Sequence, residues 1–342
     1  MAETPKPVAI VDWYRTPLPS DLFKKLHQRS DWRAFVQSAG FLAIAATTGT
    51  LTFWSWGHWP WYATVLCFFL HGTVSHFYVN GMHELGHGTV FRTKWLNAVF
   101  LRIISFLGWN HPEVFTGSHQ RHHRYTLHPP DDQEVILPVK LMVKHFLEQG
   151  FVNPRGFWWT MKYTLHIARN QIGADGGWEL ICFPADQPQL RVVPVRWARI
   201  VIFGHLLIAA VSLYFGLWII PCIVSLAPFC GGWLFFLCNN AQHTGRVDNV
   251  PDFRLCCRTI VPNPLVRFLY WQMNYHTEHH MYAAVPCYNL PRLHRAIKHD
   301  MPVCHGIIGA WREISTVLRR QKQDPAYKPE IVLPPAKAAA PA

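Results

Sequence analysis

Two stretches of this 342-residue chain, residues 34–83 and 200–245, contain no Asp, Glu, Lys or Arg. A helix needs about 20 apolar residues, at about 1.5 Å rise each, to cross a bilayer. Each stretch therefore has room for two crossings joined by a tight turn. The first pair is expected at residues 35–56 and 61–79, turning at Gly57-His58-Trp59-Pro60, and the second at 201–218 and 221–238. Trp54, Trp56, Trp59 and Trp61 crowd the first turn, as an interfacial aromatic belt does. The competing reading is buried helices of a soluble protein, but such helices usually carry a polar face. Only 15% of the chain is charged, against roughly 25% for a soluble domain.

Lys and Arg set the orientation. Residues 1–33 hold six of them, 91–197 twelve and 239–342 thirteen, whereas the two turns hold none. The positive-inside rule then puts both termini and the long middle segment in the cytosol. The expected protein is an all-α integral membrane protein with four transmembrane helices and a cytosolic helical cap, in a bacterial inner membrane or the endoplasmic reticulum. Residues 1–33 form a polar lead-in, 34–323 a single membrane domain, and 324–342 a tail expected to be disordered. Residues 97–109 are expected in the interface or a buried hairpin, and 135–150 and 157–171 as helices on the membrane surface. A loop is expected at 173–194, a helix at 265–280, and terminal helices at 293–322. The net charge of +12 follows from the positive-inside bias and from attraction to anionic headgroups. The basic residues are scattered and form no reader motif, which argues against nucleic acid. Nine cysteines without a CxxC pair fit neither a disulfide scaffold nor a zinc ribbon.

Nine histidines then fall in four short clusters on the expected cytosolic side. They read His83-Glu-Leu-Gly-His87, His119-Gln-Arg-His122-His123, Asn239-Asn-Ala-Gln-His243 and His276-Thr-Glu-His279-His280. Residues three and four apart share a helix face, so each cluster presents its imidazoles together. Neutral imidazole is a common ligand for iron, zinc and copper, and nine nitrogens exceed what one ion can hold. Two ions in an oxidative metalloenzyme are the natural reading. Glu84, Asp131, Asp132 and Glu278 are expected to orient the ligand imidazoles from behind. Asn239, one turn before His243, suits a metal-bound water better than the metal itself. His128, His294 and His305 read as local hydrogen-bonding groups, and His71 and His205 as polar groups facing the helix bundle.

These boxes, in this order and topology, resemble the membrane fatty acid desaturase superfamily, which also includes hydroxylases, acetylenases and carotenoid oxygenases. The resemblance covers about residues 35–295. It implies two irons beneath four membrane helices, held by His83, His87, His119, His122, His123, His243, His276, His279 and His280, with Asn239 acting through water. It further implies O2 as co-substrate, an acyl chain from the bilayer as substrate, and a separate electron donor of the ferredoxin or cytochrome b5 type. An acidic donor would suit the chain's basic charge. Members acting on saturated acyl-CoA commonly place four residues between the first two histidines. This chain has three, which favours a lipid-linked chain. His111-Pro112-Glu113 lacks the Gly-Gly of the cytochrome b5 haem motif.

An unactivated methylene has no acidic proton and no leaving group, so its oxidation needs an O2-derived oxidant supplied by metal or flavin. Desaturation is the leading expectation, with hydroxylation or ketone formation as the alternative on the same scaffold. A membrane protease built on His83-Glu84-x-x-His87 would need only one zinc, with Glu84 as base, and would leave seven histidines without a role. A metal transporter would spread its ligands along a path through the bilayer.

Overall fold

The computed structural model describes residues 10–173 and 177–335. Residues 1–9 of the expected lead-in, 174–176 of the expected loop and 336–342 of the expected tail lie outside them. The described residues form helices and irregular segments, with isolated bridges and no strand.

Helix α1 (Ser20–Leu26) leads into α2 (Asp31–Ser55). The Ser30 hydroxyl caps α2 by accepting the Arg33 amide, and Asp31 accepts the amide and hydroxyl of Thr93. Gly57, at φ +84°, turns the chain into α3 (Trp61–Ser75), which packs back along α2. The sequence reads one helix over 61–79, but the chain leaves helical geometry at Phe77 (ψ 1°) before α4 (Tyr78–Gly86) resumes. The interruption is slight, since the Asn80 and Gly81 amides both donate to the Phe77 carbonyl.

Helix α5 (Lys94–Leu107) lies against α4, burying Phe100 and Ile104 while exposing Trp95, Val99 and Ile103. This spacing is that of an amphipathic helix. Helix α6 (Pro112–Tyr125) follows, then α7 (Val143–Gly150) and α8 (Pro154–Ala168), which expose Val143, Leu147, Trp158 and Trp159. Helix α7 is shorter than the sequence suggests. Residues 135–142 are irregular, and Pro138 in their middle cannot donate a helical hydrogen bond. The expected loop at 173–194 contains the short α9 (Glu179–Cys182) and a 3₁₀ turn (Pro188–Arg191) running into α10 (Val192–Tyr214).

The fourth expected crossing, 221–238, is not one helix. Helix α11 (Ile219–Pro221) passes into a π turn (Cys222–Leu226) and a 3₁₀ turn (Ala227–Phe229). The chain then opens, and α12 (Trp233–Asn239) follows. Pro228 lacks a donor, and Gly231 sits at φ +73°. The freed backbone groups find partners in residues 151–153: the Gly231 amide donates to the Phe151 carbonyl (2.7 Å) and the Asn153 amide to that of Phe229 (2.8 Å). Irregular backbone persists inside a protein where other backbone groups satisfy it in this way.

Among the described residues, two helical units are long and apolar enough to cross a membrane, α2 and Pro188–Tyr214. Only 33% and 28% of their apolar windows is buried. Leu51, Phe53, Leu206, Leu207 and Val211 face outward, a surface that water penalises.

After α12 come α13 (Phe253–Cys256), α14 (Pro264–Leu269), α15 (His276–Met281), α16 (Leu290–Ile297) and α17 (Ile307–Gln323). The helix expected over 265–280 is thus split in two. Trp271 and Gln272, at φ 53° and 60°, end α14 and redirect the chain. Left-handed backbone is costly for such side chains. Here the fully buried Trp271 indole offsets the cost by packing on Gly81 of α4, where a Cβ would lie 2.8 Å from the ring. Five residues on, His276 opens α15, whose His279 Nδ1 lies 3.4 Å from Glu84 of α4. From Asp324 to residue 335 the chain is irregular, although Lys328 pairs with Asp248 (2.5 Å).

Candidate metal centre

The fold gathers all nine cluster histidines. Five of them, His83, His87, His119, His123 and His279, form one group, and His122, His243, His276 and His280 form a second. Within each group the candidate ligand atoms lie within 4.8 Å of one another. The two HxxHH boxes interlock. On α6 the i, i+4 pair His119/His123 joins the first group and His122 turns to the second. On α15 the pair His276/His280 joins the second group and His279 the first.

The facing atoms are Nε2. His123 Nε2 lies 2.9 Å from that of His119 and 3.1 Å from that of His279. In the second group His276 Nε2 lies 2.8 Å from that of His243 and 3.1 Å from that of His280. The Nε2 atoms of His83 and His87 are buried without any partner. A neutral imidazole has one N–H and one lone pair, so three nitrogens meeting at one point cannot all be paired by protons. A cation among them satisfies the lone pairs together, and the donor set fits an imidazole-binding metal.

Several Nδ1 atoms are tied back into the protein, which fixes each ring's tautomer and direction. His122 Nδ1 donates to Asp132 (2.8 Å), His119 Nδ1 to Glu134 (3.2 Å) and His243 Nδ1 to the Cys256 carbonyl (2.9 Å). His280 Nδ1 meets the Thr126 hydroxyl (3.0 Å), and Glu84 lies 3.2 Å from His83 Nδ1 and 3.4 Å from His279 Nδ1. Two of the four carboxylates named from sequence are placed otherwise. Asp131 pairs with Arg121 (3.3 Å), and Glu278 bonds Thr259 and His294. Sequence reasoning missed Glu134, whose only signal is its place in the acidic run Asp131-Asp132-Gln133-Glu134. Glu84, wedged between two ring nitrogens and 1% exposed, is poorly placed to activate a water as a protease base.

Electrostatics keep nearly all these rings neutral. Burial, then mutual repulsion, holds His83, His119, His123, His276, His279 and His280 well below the ordinary imidazole value. Burial lowers His87 to about 4 and, with help from His122, His243 to about 3. For His122 burial is opposed by Glu134 and Asp132, and the carboxylates win, raising it. Burial also raises Glu84 well above the usual carboxyl range. Neutral imidazole is the form that binds metal.

His243, the lone ligand candidate of its segment, is splinted by a buried arginine. Arg258 Nη1 donates to the carbonyls of Ala241 (2.6 Å) and Thr244 (2.7 Å), which bracket His243, and its amide donates to that of Gln242 (2.7 Å). Glu313 on α17 accepts from the same guanidinium (3.1 Å).

A cavity of about 440 Å³ opens onto both groups, reaching His83 and His119 of the first and His122, His243 and His276 of the second. Asn239 also lines it, while Val135, Ile136, Val139 and Phe235 give it apolar walls. A larger cavity of about 560 Å³, lined by His71 and residues of α2, lies away from the nine histidines.

The family model described as Fatty acid desaturase matches residues 59–307, a span that contains all four clusters. No curated protein matches the chain.

Proposed function

Since the chain belongs to the fatty acid desaturase family, a family of membrane-bound di-iron oxidoreductases, we propose that it introduces a double bond into a membrane-resident acyl chain. The observation that carries this reading is the convergence of nine imidazoles, five and four, on one cavity with apolar walls. Two irons held there would supply the oxidant by reducing O2. The protein's own part is to aim the Nε2 atoms, keep the rings neutral and hold a methylene within about an ångström of its reacting position. Asn239, on the cavity wall, would hold a water of the four-histidine group.

In this reading four segments cross the bilayer: α2, α3, α10, and the broken run from α11 to α12. The nine histidines, the cap and both termini face the cytosol, as the Lys and Arg distribution supports. Residues 34–323 act as one domain, since Glu313 of α17 reaches the splint behind His243. Exposed apolar side chains on α7 and α8 suit contact with the membrane surface. An acyl chain arriving from lipid would pass the apolar wall at 135–139. A separate one-electron donor supplies the reducing equivalents.

Lipid mass spectrometry of a host expressing the protein tests this. Species lighter by two hydrogens should appear, and should vanish with His122→Ala. A His122-dependent product carrying an added oxygen would instead assign hydroxylation.

A further inference from the structure

Among the described residues, two aromatic side chains other than histidine pack on the nine candidate ligand rings. Phe115 stacks on His119 (4.9 Å, 15°) and lines the cavity. Phe253 lies against His280 (5.5 Å, 46°), is 1% exposed and is itself stacked by Trp13 (4.1 Å, 11°). Trp13 is half-buried at the surface. Its indole N–H donates to the carbonyl of Arg124 (2.9 Å), the residue next to His123. One surface indole is therefore joined to the four-histidine group through successive ring contacts, the first stacked and the second tilted at 46°, and to the five-histidine group through a main-chain hydrogen bond.

The charge around Trp13 is also distinctive. Arg15 and Arg124 are exposed and make no ion pair among the described residues, although Arg15 Nε donates to the Met281 carbonyl (2.8 Å). The nearby acids Asp131, Asp252 and Asp300 are engaged by Arg121 and Arg254, which leaves Asp12 as the opposing charge.

We propose that the Trp13–Phe253 pair is the port through which a small acidic one-electron carrier protein reduces the metal centre, docking over Arg15 and Arg124. The proposal rests on the oxidoreductase reading above. Desaturation balances as –CH2–CH2– + O2 + 2e⁻ + 2H⁺ → –CH=CH– + 2H2O, and hydroxylation consumes the same two external electrons. Each product thus needs two carrier encounters, each carrier losing one electron, with protons drawn from water. Electron transfer weakens steeply as saturated protein intervenes, and two π-systems in contact shorten that gap. Complementary charge raises the encounter rate and makes it sensitive to salt.

The test uses the full chain, iron-loaded in lipid nanodiscs without O2, with reduction followed by stopped-flow absorbance. The reductant is either a reduced [2Fe–2S] ferredoxin or dithionite with methyl viologen. Trp13→Leu should slow the ferredoxin reaction at least tenfold while leaving iron content and the dithionite reaction unchanged, and Trp13→Phe should restore most of the rate. Arg15→Glu with Arg124→Glu should weaken binding of oxidised ferredoxin to metal-free protein at least fivefold. An unchanged ferredoxin rate in Trp13→Leu overturns the proposal, as does equal slowing with both reductants. Failure of ferredoxin to reduce the wild type counts against it too. Trp13-dependent reduction without any oxidised lipid product would keep the port and remove the lipid assignment.

Discussion

Glu134 carries the sharpest test at the level of single side chains. Its carboxylate is the partner of His119 Nδ1, and loss of such a partner typically costs about 10–100-fold in metal affinity or activity. Glu134→Gln should show that loss in metal titrations, whereas Asp131→Asn, at a carboxylate paired with Arg121, should leave metal binding within about twofold. Arg258→Met should empty the four-histidine group in preference to the five-histidine group, with Arg258→Lys in between. Iron analysis with Mössbauer spectra would separate the two populations. A pH effect belongs at this scale as well. Burial lowers His111, hydrogen-bonded to Thr164, from 6.5 to about 4. The unfolded chain takes up this proton below about pH 6.5 and the folded chain does not. The contribution is therefore fully present above that pH and is lost as pH falls toward 4, by about 3 kcal/mol in all. In detergent unfolding curves, His111→Gln should flatten the acid limb between those values relative to wild type. The nine imidazoles were legible in sequence because i, i+3 and i+4 spacing survives folding. The carboxylates were less so. Asp132 and Glu134 reach their rings from the irregular segment after α6, where no periodicity tells which way a side chain points. Glu278 sits between two candidate ligands in sequence yet bonds His294 on α16.

At the scale of elements, the break before α12 is the feature that simple hydropathy hides. An uncharged stretch reads as one span, but Pro221, Pro228 and the Gly231-Gly232 pair mark where helical hydrogen bonding fails. What the sequence does not show is that residues 151–153 supply the missing partners, a contact between segments some eighty positions apart. Likewise the split of 265–280 rests on left-handed Trp271 and Gln272, a conformation no local signal announces. Two glycines report these contacts. A Cβ on Gly72 would lie 2.1 Å from the Cys230 carbonyl oxygen, against backbone that cannot step aside. Gly72→Ala should therefore destabilise the protein by about 1–3 kcal/mol or more, read as a lower midpoint in thermal unfolding in detergent. Gly81→Val would push Trp271 away from α4 and should lower metal content along with stability, because Trp271 lies five residues before His276 of the four-histidine group.

For the whole molecule, the interlocking of the two HxxHH boxes has a topological consequence. Each group draws on residues far apart in the chain, from His83 to His279 in one and from His122 to His280 in the other. A bound ion therefore acts as a staple closing a chain loop of well over a hundred residues. By the loop-entropy argument developed for disulfides, one such closure is worth about 5 kcal/mol. In the proposed reading, bound metals would hold the histidine-bearing segments together as well as serve chemistry, and a chelator should lower the unfolding midpoint while exposing cleavage sites in residues 126–142 and 244–275 before those in α2 and α10. Limited proteolysis with and without chelator checks the order, and simultaneous cleavage everywhere would refute it. During synthesis, no ion can be fully enclosed until residue 280 has left the ribosome. If the metal is iron, as proposed, cells short of it would accumulate chains whose histidine-bearing segments stand open to proteases, so that iron supply would govern the protein's lifetime as well as its turnover.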